Sequence, residues 1–223
     1  RGKKMHNVTV AFAALLVMLL SYFFGCFNGS FMVSHFIIRD DVRKHGSGNA
    51  GLTNFYRTYG AKYALLVIAC DMGKTVAACL LGSFFFRCLG WDGTLGTLLA
   101  GLGCELGHIF PVFYGFRGGK GILSGGTLVL LLNWRVAAVA WALFLLLWLT
   151  TRYVSLASIT ATCSAPITVY FVYAHNWLYT GLCLAVAALV VWCHRENIQR
   201  LLHGTEKKFK WHVNPMEGKD PPQ

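Results

Sequence analysis

An all-α polytopic membrane protein, with seven transmembrane helices and polar loops at the cytoplasmic face, is the fold class this sequence predicts. Three observations carry it. Hydrophobic residues make up 56% of the chain and charged residues only 13%, against about 25% charged in soluble domains. The apolar residues lie in runs long enough to cross a bilayer. The cations gather in the stretches between those runs.

A spanning helix needs about 20 largely apolar residues. Such runs extend from Val8 to Phe27, Ala61 to Phe86, Thr94 to Tyr114, Val154 to Tyr173 and Trp177 to Cys193. The stretch from Gly121 to Thr150 is too long for one span and too short for two full ones. If the loop carrying Arg117 and Lys120 lies on the same side as Arg152, the chain crosses twice here. It then turns near Asn133-Trp134-Arg135 with two short helices, which brings the total to seven.

The formal charge of +11 resides mostly in loops. Arg39, Arg43, Lys44, Arg57 and Lys62 occupy one, Arg117 and Lys120 another, and Arg195, Arg200, Lys207, Lys208 and Lys210 the tail. By the positive-inside bias these segments face the cytoplasm. The same reading puts the N-terminus outside, against the preference of Arg1, Lys3 and Lys4. A cleaved signal peptide is the alternative for the first run, but the run is long and Phe23-Phe24 replace the small residues of a cleavage site. The span is expected to remain. With no linker, low-complexity tract or repeat, residues 1–223 read as one membrane domain. Its polar tail begins at about Glu196 and ends at a loose Pro221-Pro222.

Eight cysteines show no CxxC spacing and read as small buried apolar residues. Glu105 and His108 form the one helical pair at ligand spacing and lack further partners, so no metal is predicted. Gly46, Gly48 and Gly51 with Asp71 imitate a dinucleotide fingerprint. That motif needs a preceding buried strand and a βαβ unit, whereas the charged segment Arg39 to His45 precedes it and a span follows.

Four polar islands remain. In the first, Gly46, Gly48 and Asn49 allow backbone N–H groups to approach an anion, and Ser47, Thr53 and Asn54 add side-chain donors beside Arg57. The second runs from Gly107-His108 through Arg117, Gly118, Gly119 and Lys120 to Gly121. It is not a Walker loop, because Tyr114 stands where that motif has Gly and no hydroxyl follows Lys120. The third holds Ser155 and Ser158, three residues apart on one helical face behind Arg152. The fourth places His194 and Asn197 on one face where the last span meets water. Each alone has a structural reading as helix packing, snorkelling or backbone satisfaction. Four at one membrane face point to function, because interfacial polar clusters are costly.

On these residues the chain resembles the bacterial membrane-integral acyl-phosphate:glycerol-3-phosphate acyltransferases, from Gly29-Ser30 to the His194-to-Ile198 segment. The family pattern GSGN-x-GATN followed by Arg matches Gly46 to Asn49, Gly51, Thr53, Asn54 and Arg57. Its GH-x-FP and GGKG elements match Gly107, His108, Phe110, Pro111 and Gly118 to Gly121. RY-x-SL and HREN segments are present, and Asp71 and Lys74 stand where the family has D-x-x-K. Met32, Leu52 and the run Ile122 to Ser124 depart from the pattern by mostly apolar exchanges. A lone His35 and Asp40, spaced like the general-base pair of a different group of glycerolipid acyltransferases, read instead as an interfacial His and an Asp neutralising Arg39 or Arg43.

The resemblance implies transfer of a fatty acyl group from acyl phosphate to the 1-hydroxyl of glycerol 3-phosphate at a bacterial cell membrane. The implied catalytic set is Ser47, Arg57, Lys120, His194 and Asn197. Gly46, Gly48, Asn49, Thr53, Asn54, His108, Gly118, Gly119, Ser155 and Ser158 are the implied substrate-binding residues. Glycerol 3-phosphate, acyl phosphate and the phospholipid bilayer are the expected partners. No cofactor, nucleic acid or obligatory protein partner is expected. A transporter for a phosphorylated metabolite is the competing class, but its site belongs at the bilayer midplane. A lipid-binding scaffold explains Lys207, Lys208 and Lys210 and leaves the islands unused.

Overall fold

A computed structural model describes residues 2–211, with side chains from residue 8 onward. Arg1 and the tail beyond Trp211, with its Pro221-Pro222 end, lie outside the described residues. Among the described residues the regular structure is helical: α1 (Gly2–Cys26), α2 (Gly29–Met32), α3 (Leu52–Tyr59), α4 (Ala64–Cys88), α5 (Gly93–Ile109), α6 (Ile122–Leu132), α7 (Trp134–Thr151), α8 (Val154–Val172), α9 (Trp177–Cys193) and α10 (Arg195–Leu202).

The break at Asn133 falls where the sequence predicts it. Asn133 is extended and caps α7 by accepting from the Arg135 N–H (2.9 Å), while the Tyr173 hydroxyl donates to the Leu132 carbonyl freed at the end of α6 (2.7 Å). The count of seven crossings is not established. By length and composition five helical stretches can each span a bilayer, or six if α9 and α10, bent by 59°, form one broken span. At 1.5 Å per residue α6 is only about 16 Å long, roughly half the hydrocarbon thickness.

Helix α5 is the centre of the bundle. Of the apolar stretch it opens, Gly93–Tyr114, 78% of the most apolar residues are buried, against 17% for α7 at the periphery. Glycines permit that position. A Cβ on Gly103 or Gly107 would collide with the Met18 or Tyr22 carbonyl of α1, and one on Gly96 with the Gly82 carbonyl of α4. Small residues at such spacing let helix backbones touch, the usual source of association where lipid removes the hydrophobic drive between helices. Leu98, Val129, Val136 and Val169 close the core between α5, α6, α7 and α8. Large residues such as Leu15, Leu65, Phe84 and Leu146 remain on the outer surface, as a lipid-facing wall requires.

Cysteines divide. Cys26, Cys79, Cys104 and Cys183 are buried as expected, whereas Cys70, Cys88 and Cys163 are exposed on the outer faces of the bundle.

Candidate active site

The first island is held by a hinge between α1 and α2. Helix α1 stops at Cys26, which leaves carbonyls without helical partners. Lys74 Nζ donates to those of Gly25 (3.1 Å) and Phe27 (3.0 Å), and lies 2.8 Å from both Asp71 Oδ1 and His108 Nδ1. Asp71 also accepts from the Gly29 N–H (3.0 Å). All three side chains are buried. Asn28 then caps α2 through its Oδ1 and donates from Nδ2 to the Ala50 carbonyl (2.9 Å), which fixes the glycine-rich loop above the hinge.

Inside that loop Asn54 is the organiser. Its Nδ2 is shared among the carbonyls of Val42, His45 and Asn49 (3.0–3.1 Å), and its Oδ1 accepts from the Ser47 N–H (2.9 Å). Gly46 has φ +59° and a Cβ there would strike Asn54 Oδ1, so the turn requires glycine. These bonds correct part of the sequence reading. The Ser47 and Gly48 amides, expected to face an anion, are spent within the loop, and the Asn54 amide hydrogens are taken by loop carbonyls. Among the described residues neither the exposed Ser47 hydroxyl nor the Thr53 hydroxyl has a hydrogen-bond partner.

The second island is tied to the first. Gly118 accepts from the Ala50 N–H (3.3 Å) and from Asn49 Nδ2 (3.4 Å), and Arg43 Nη1 donates to the Tyr114 carbonyl (2.7 Å). Gly118 and Gly119 donate their own amides to Ile109 and His108 carbonyls at 3.1 Å, and a Cβ on either would collide with His108. Their role is close packing, and His108 is committed to Lys74 and Asp71 beneath them. Gly118, Gly119 and His108 thus carry the floor on which Lys120 stands. His35 and Asp40 do not pair. His35 stacks on Phe31 (5.3 Å), while Asp40 bonds His45 (2.8 Å) rather than Arg39 or Arg43.

From that floor Lys120 reaches the fourth island, where its ammonium donates to Asn197 Oδ1. Asn197 Nδ2 donates to Glu206 Oε1 (2.7 Å), and so does the Ser155 hydroxyl of the third island (2.8 Å). Arg200 Nε binds Glu206 Oε2 (2.8 Å). Arg57, on α3, donates to the carbonyl of Lys207 next door (3.0 Å). The four islands thus close into one continuous arc at one end of the bundle. His194 is buried beside it and sets its Nδ1 against the Val190 carbonyl (2.8 Å). A carbonyl only accepts, so Nδ1 carries the proton and Nε2 of the neutral ring is an acceptor. Ser158 is buried, and its hydroxyl has no hydrogen-bond partner among the described residues.

Electrostatically the arc is cationic around the Glu206 carboxylate, with the more exposed Glu196 beside Arg200. Burial lowers the Lys120 pKa, with Arg200 adding to the effect and Glu206 opposing it. Burial likewise lowers that of Arg57. Burial alone would raise the Glu206 carboxyl, but hydrogen bonds from Arg200, Asn197 and Ser155 hold it below the ordinary range. Glu206 and Arg200 are what sequence reasoning missed as site residues. The available signal was an acidic residue placed directly before Lys207 and Lys208 in a basic tail.

Apolar helices around a glycine-rich α5, with a cationic hydrogen-bonded arc at one end, define an integral membrane protein. Residues 15–204 match the family described as glycerol-3-phosphate acyltransferase, and the chain belongs to that family. Its curated relatives include the glycerol-3-phosphate acyltransferases of Syntrophomonas wolfei subsp. wolfei, 39% identical over 88% of this chain and 96% of that one, and of Finegoldia magna, 37% identical over 87% and 96%. Among solved structures it is similar to the integral membrane glycerol 3-phosphate acyltransferase PlsY (YgiH). The glycerol 3-phosphate form superimposes with a TM-score of 0.78 at 36% identity, covering 88% of this chain and 96% of that one. The lysophosphatidic acid form gives 0.76 at 35%, covering 88% and 95%.

Proposed function

We propose that this chain transfers a fatty acyl group from acyl phosphate to the 1-hydroxyl of glycerol 3-phosphate, releasing lysophosphatidic acid and inorganic phosphate. The observation that carries the reading is the convergence of Arg57, Lys120, His194 and Asn197 on one polar end of an otherwise apolar bundle. Both substrates are phosphorylated, and this is where the chain concentrates fixed positive charge. The solved relatives in glycerol 3-phosphate and lysophosphatidic acid forms support the acceptor and the product. The cytoplasmic face of a bacterial cell membrane is the proposed location. Arg39, Arg43, Lys44, Arg117, Arg152 and the tail lysines lie at the site end, whereas the loops of the opposite end carry Arg87 and Arg135.

Lys120 and Arg57 bind phosphate oxygens through charge-assisted hydrogen bonds, with the Ser47 hydroxyl completing the contact. His194 Nε2 accepts from the 2-hydroxyl of the glycerol, which turns the neighbouring 1-hydroxyl toward the acyl carbonyl and leaves its proton free. The hydroxyl oxygen forms the new ester bond, the bond from the acyl carbon to the phosphate oxygen breaks, and the hydroxyl proton passes to a phosphate oxygen. An acyl phosphate is a mixed anhydride with a good leaving group, so no covalent acyl-enzyme is needed. Positioning and electrostatic stabilisation supply the rate.

The test is purified protein given acyl phosphate and glycerol 3-phosphate and scored for phosphate release, with acyl-CoA as the competing donor. Release from acyl phosphate is expected. Acylation from acyl-CoA with none from acyl phosphate would overturn the donor.

A further inference from the structure

At the end of the bundle opposite the site, a cavity of about 210 Å³ opens between α4, α5 and α6. The short α6 creates it. That helix packs against both α4 and α5 but stops at Leu132, and its last turn forms one wall. The apolar part of the lining includes Leu80 and Leu131, and the neighbouring Leu81, Phe84 and Leu130 are exposed on the outer surface of the bundle. The polar part carries the Arg87 guanidinium from the last turn of α4 and the hydroxyls of Ser83 and Thr94. None of these three groups has a hydrogen-bond or ion-pair partner among the described residues. Asp92, the nearest carboxylate in the chain, caps α5 instead by accepting from the Thr94 N–H (2.8 Å). The Thr97 hydroxyl donates to the Gly93 carbonyl (3.1 Å). A Cβ on Gly93 would collide with Arg87 Nε and Ser83 Oγ, so this glycine lets both side chains lie against the start of α5.

We propose that this cavity binds the phosphodiester of an anionic phospholipid in the leaflet opposite the active site. A guanidinium fork beside two free hydroxyls is a donor set for phosphate oxygens. The N-terminus of the 17-residue α5 favours the same sign of charge. The apolar wall selects a lipid over a free anion, since it receives the glycerol and first methylenes that inorganic phosphate lacks. Basic pockets between spans bind headgroups in this way. A cation in the last turn of α4 also complements the helix dipole, but that role needs neither the cavity nor Gly93. Arg135 illustrates the simpler case at the same end: its guanidinium lies over the Trp134 ring (5.5 Å), outside the cavity.

The inference stands apart from the acyl transfer. Its test is the full chain in detergent, titrated with phosphatidylglycerol, with bound lipid counted by native mass spectrometry. Arg87→Gln is expected to weaken the bound phosphatidylglycerol about 10- to 100-fold, the scale of a hydrogen bond to a charged group, and Ser83→Ala about 5-fold. Arg135→Gln should bind like wild type. Phosphate release by Arg87→Gln in detergent alone should equal that of wild type. Wild-type affinity in Arg87→Gln would overturn the inference, and Ser83→Ala decides in the same way if Arg87→Gln does not fold. An equal loss in Arg135→Gln would reduce the effect to general surface charge and overturn it. A loss as large in Lys120→Ala would move the lipid to the cationic arc and overturn it too. Displacement by millimolar inorganic phosphate would make the occupant a free anion and overturn the lipid assignment.

Discussion

Lys120 and Asn197, 77 residues apart, meet through a hydrogen bond from the ammonium to the amide oxygen. This contact joins the glycine hinge after α5 to the start of α10, so neither island can shift without moving the other. A lysine so placed is half out of water, and burial brings its pKa below the ordinary lysine range. The proposed role needs the charged form, which is the form present below that pKa. Phosphate release should therefore fall as pH rises through the lowered value. Arg200 facing Lys120 strengthens the shift, while Glu206, Glu196 and Cys193 oppose it. Lys120→Ala should cost roughly 10²-fold in kcat, the scale for one electrostatic donor. Lys120→Arg, which does not titrate there, should lose the alkaline limb of the pH–rate profile while keeping part of the activity. An alkaline limb unchanged in Lys120→Arg would remove Lys120 as its source.

Arg57 is the cation whose guanidinium donates to the Lys207 carbonyl and faces Glu206 across the site. Arg57→Ala should raise the KM for glycerol 3-phosphate by about 10- to 100-fold, the equivalent of one charged hydrogen bond. Arg57→Lys should fall between, since an ammonium keeps the charge but not the fork of donors. Steady-state kinetics at fixed acyl phosphate measures both.

His194 presents Nε2 as an acceptor because Nδ1 is committed to the Val190 carbonyl. A glutamine oxygen can accept from the same substrate hydroxyl but cannot take a proton near neutral pH. His194→Gln is thus expected to retain activity within about 10-fold of wild type, the low end for loss of one hydrogen bond. A collapse by 10³-fold or more in single-turnover assays would make His194 the general base, since such proton transfer is worth about 10²–10⁴.

The contrast between Asn54 and Glu206 shows what the sequence made legible. Hydropathy and charge located the helices, the Asn133 break and the four islands, because those depend on local composition. Residue type alone also placed Asn54 among the donors facing a ligand, but an amide serves a loop carbonyl as readily as a phosphate. Only the packing of Val42, His45 and Asn49 around it decides which. Gly118 and Gly119 pose the same ambiguity, since glycine suits both anion binding and the close contact with His108 that the packing shows. Glu206 was illegible because its partners, Ser155, Asn197 and Arg200, are gathered by the fold and not by any spacing in the chain.

Beneath the site, Lys74 and Asp71 form a buried pair one helical turn apart (2.8 Å) that also holds the α1–α2 hinge. Lys74→Met leaves Asp71 without its counter-charge and the Gly25 and Phe27 carbonyls without a donor. Breaking such a pair costs about 3–5 kcal/mol. A marked fall in melting temperature is expected, together with lost activity, although neither residue is assigned to the chemistry. Equal melting temperatures for wild type and Lys74→Met would show that the hinge does not depend on this pair.

Gly107 and Gly73 offer a matched test of how the bundle holds that site. Both lie within long helices, but a Cβ on Gly107 would meet the Tyr22 carbonyl and the Cys26 amide of α1, whereas one on Gly73 meets nothing within 4 Å. Backbone atoms cannot swing aside as a flexible side chain does. Gly107→Ala must therefore push α1 away from α5, at a cost of at least the roughly 1–3 kcal/mol typical of overpacking. The displacement lands beside His108, whose link to Lys74 sets the floor under Lys120. Gly107→Ala should accordingly lower both melting temperature and kcat. Gly73→Ala should be neutral or stabilising by up to about 1 kcal/mol, the helix-propensity difference between the two residues. If both variants melt like wild type, close α1–α5 contact is not what fixes the site, and the glycine spacing along α5 would need another explanation.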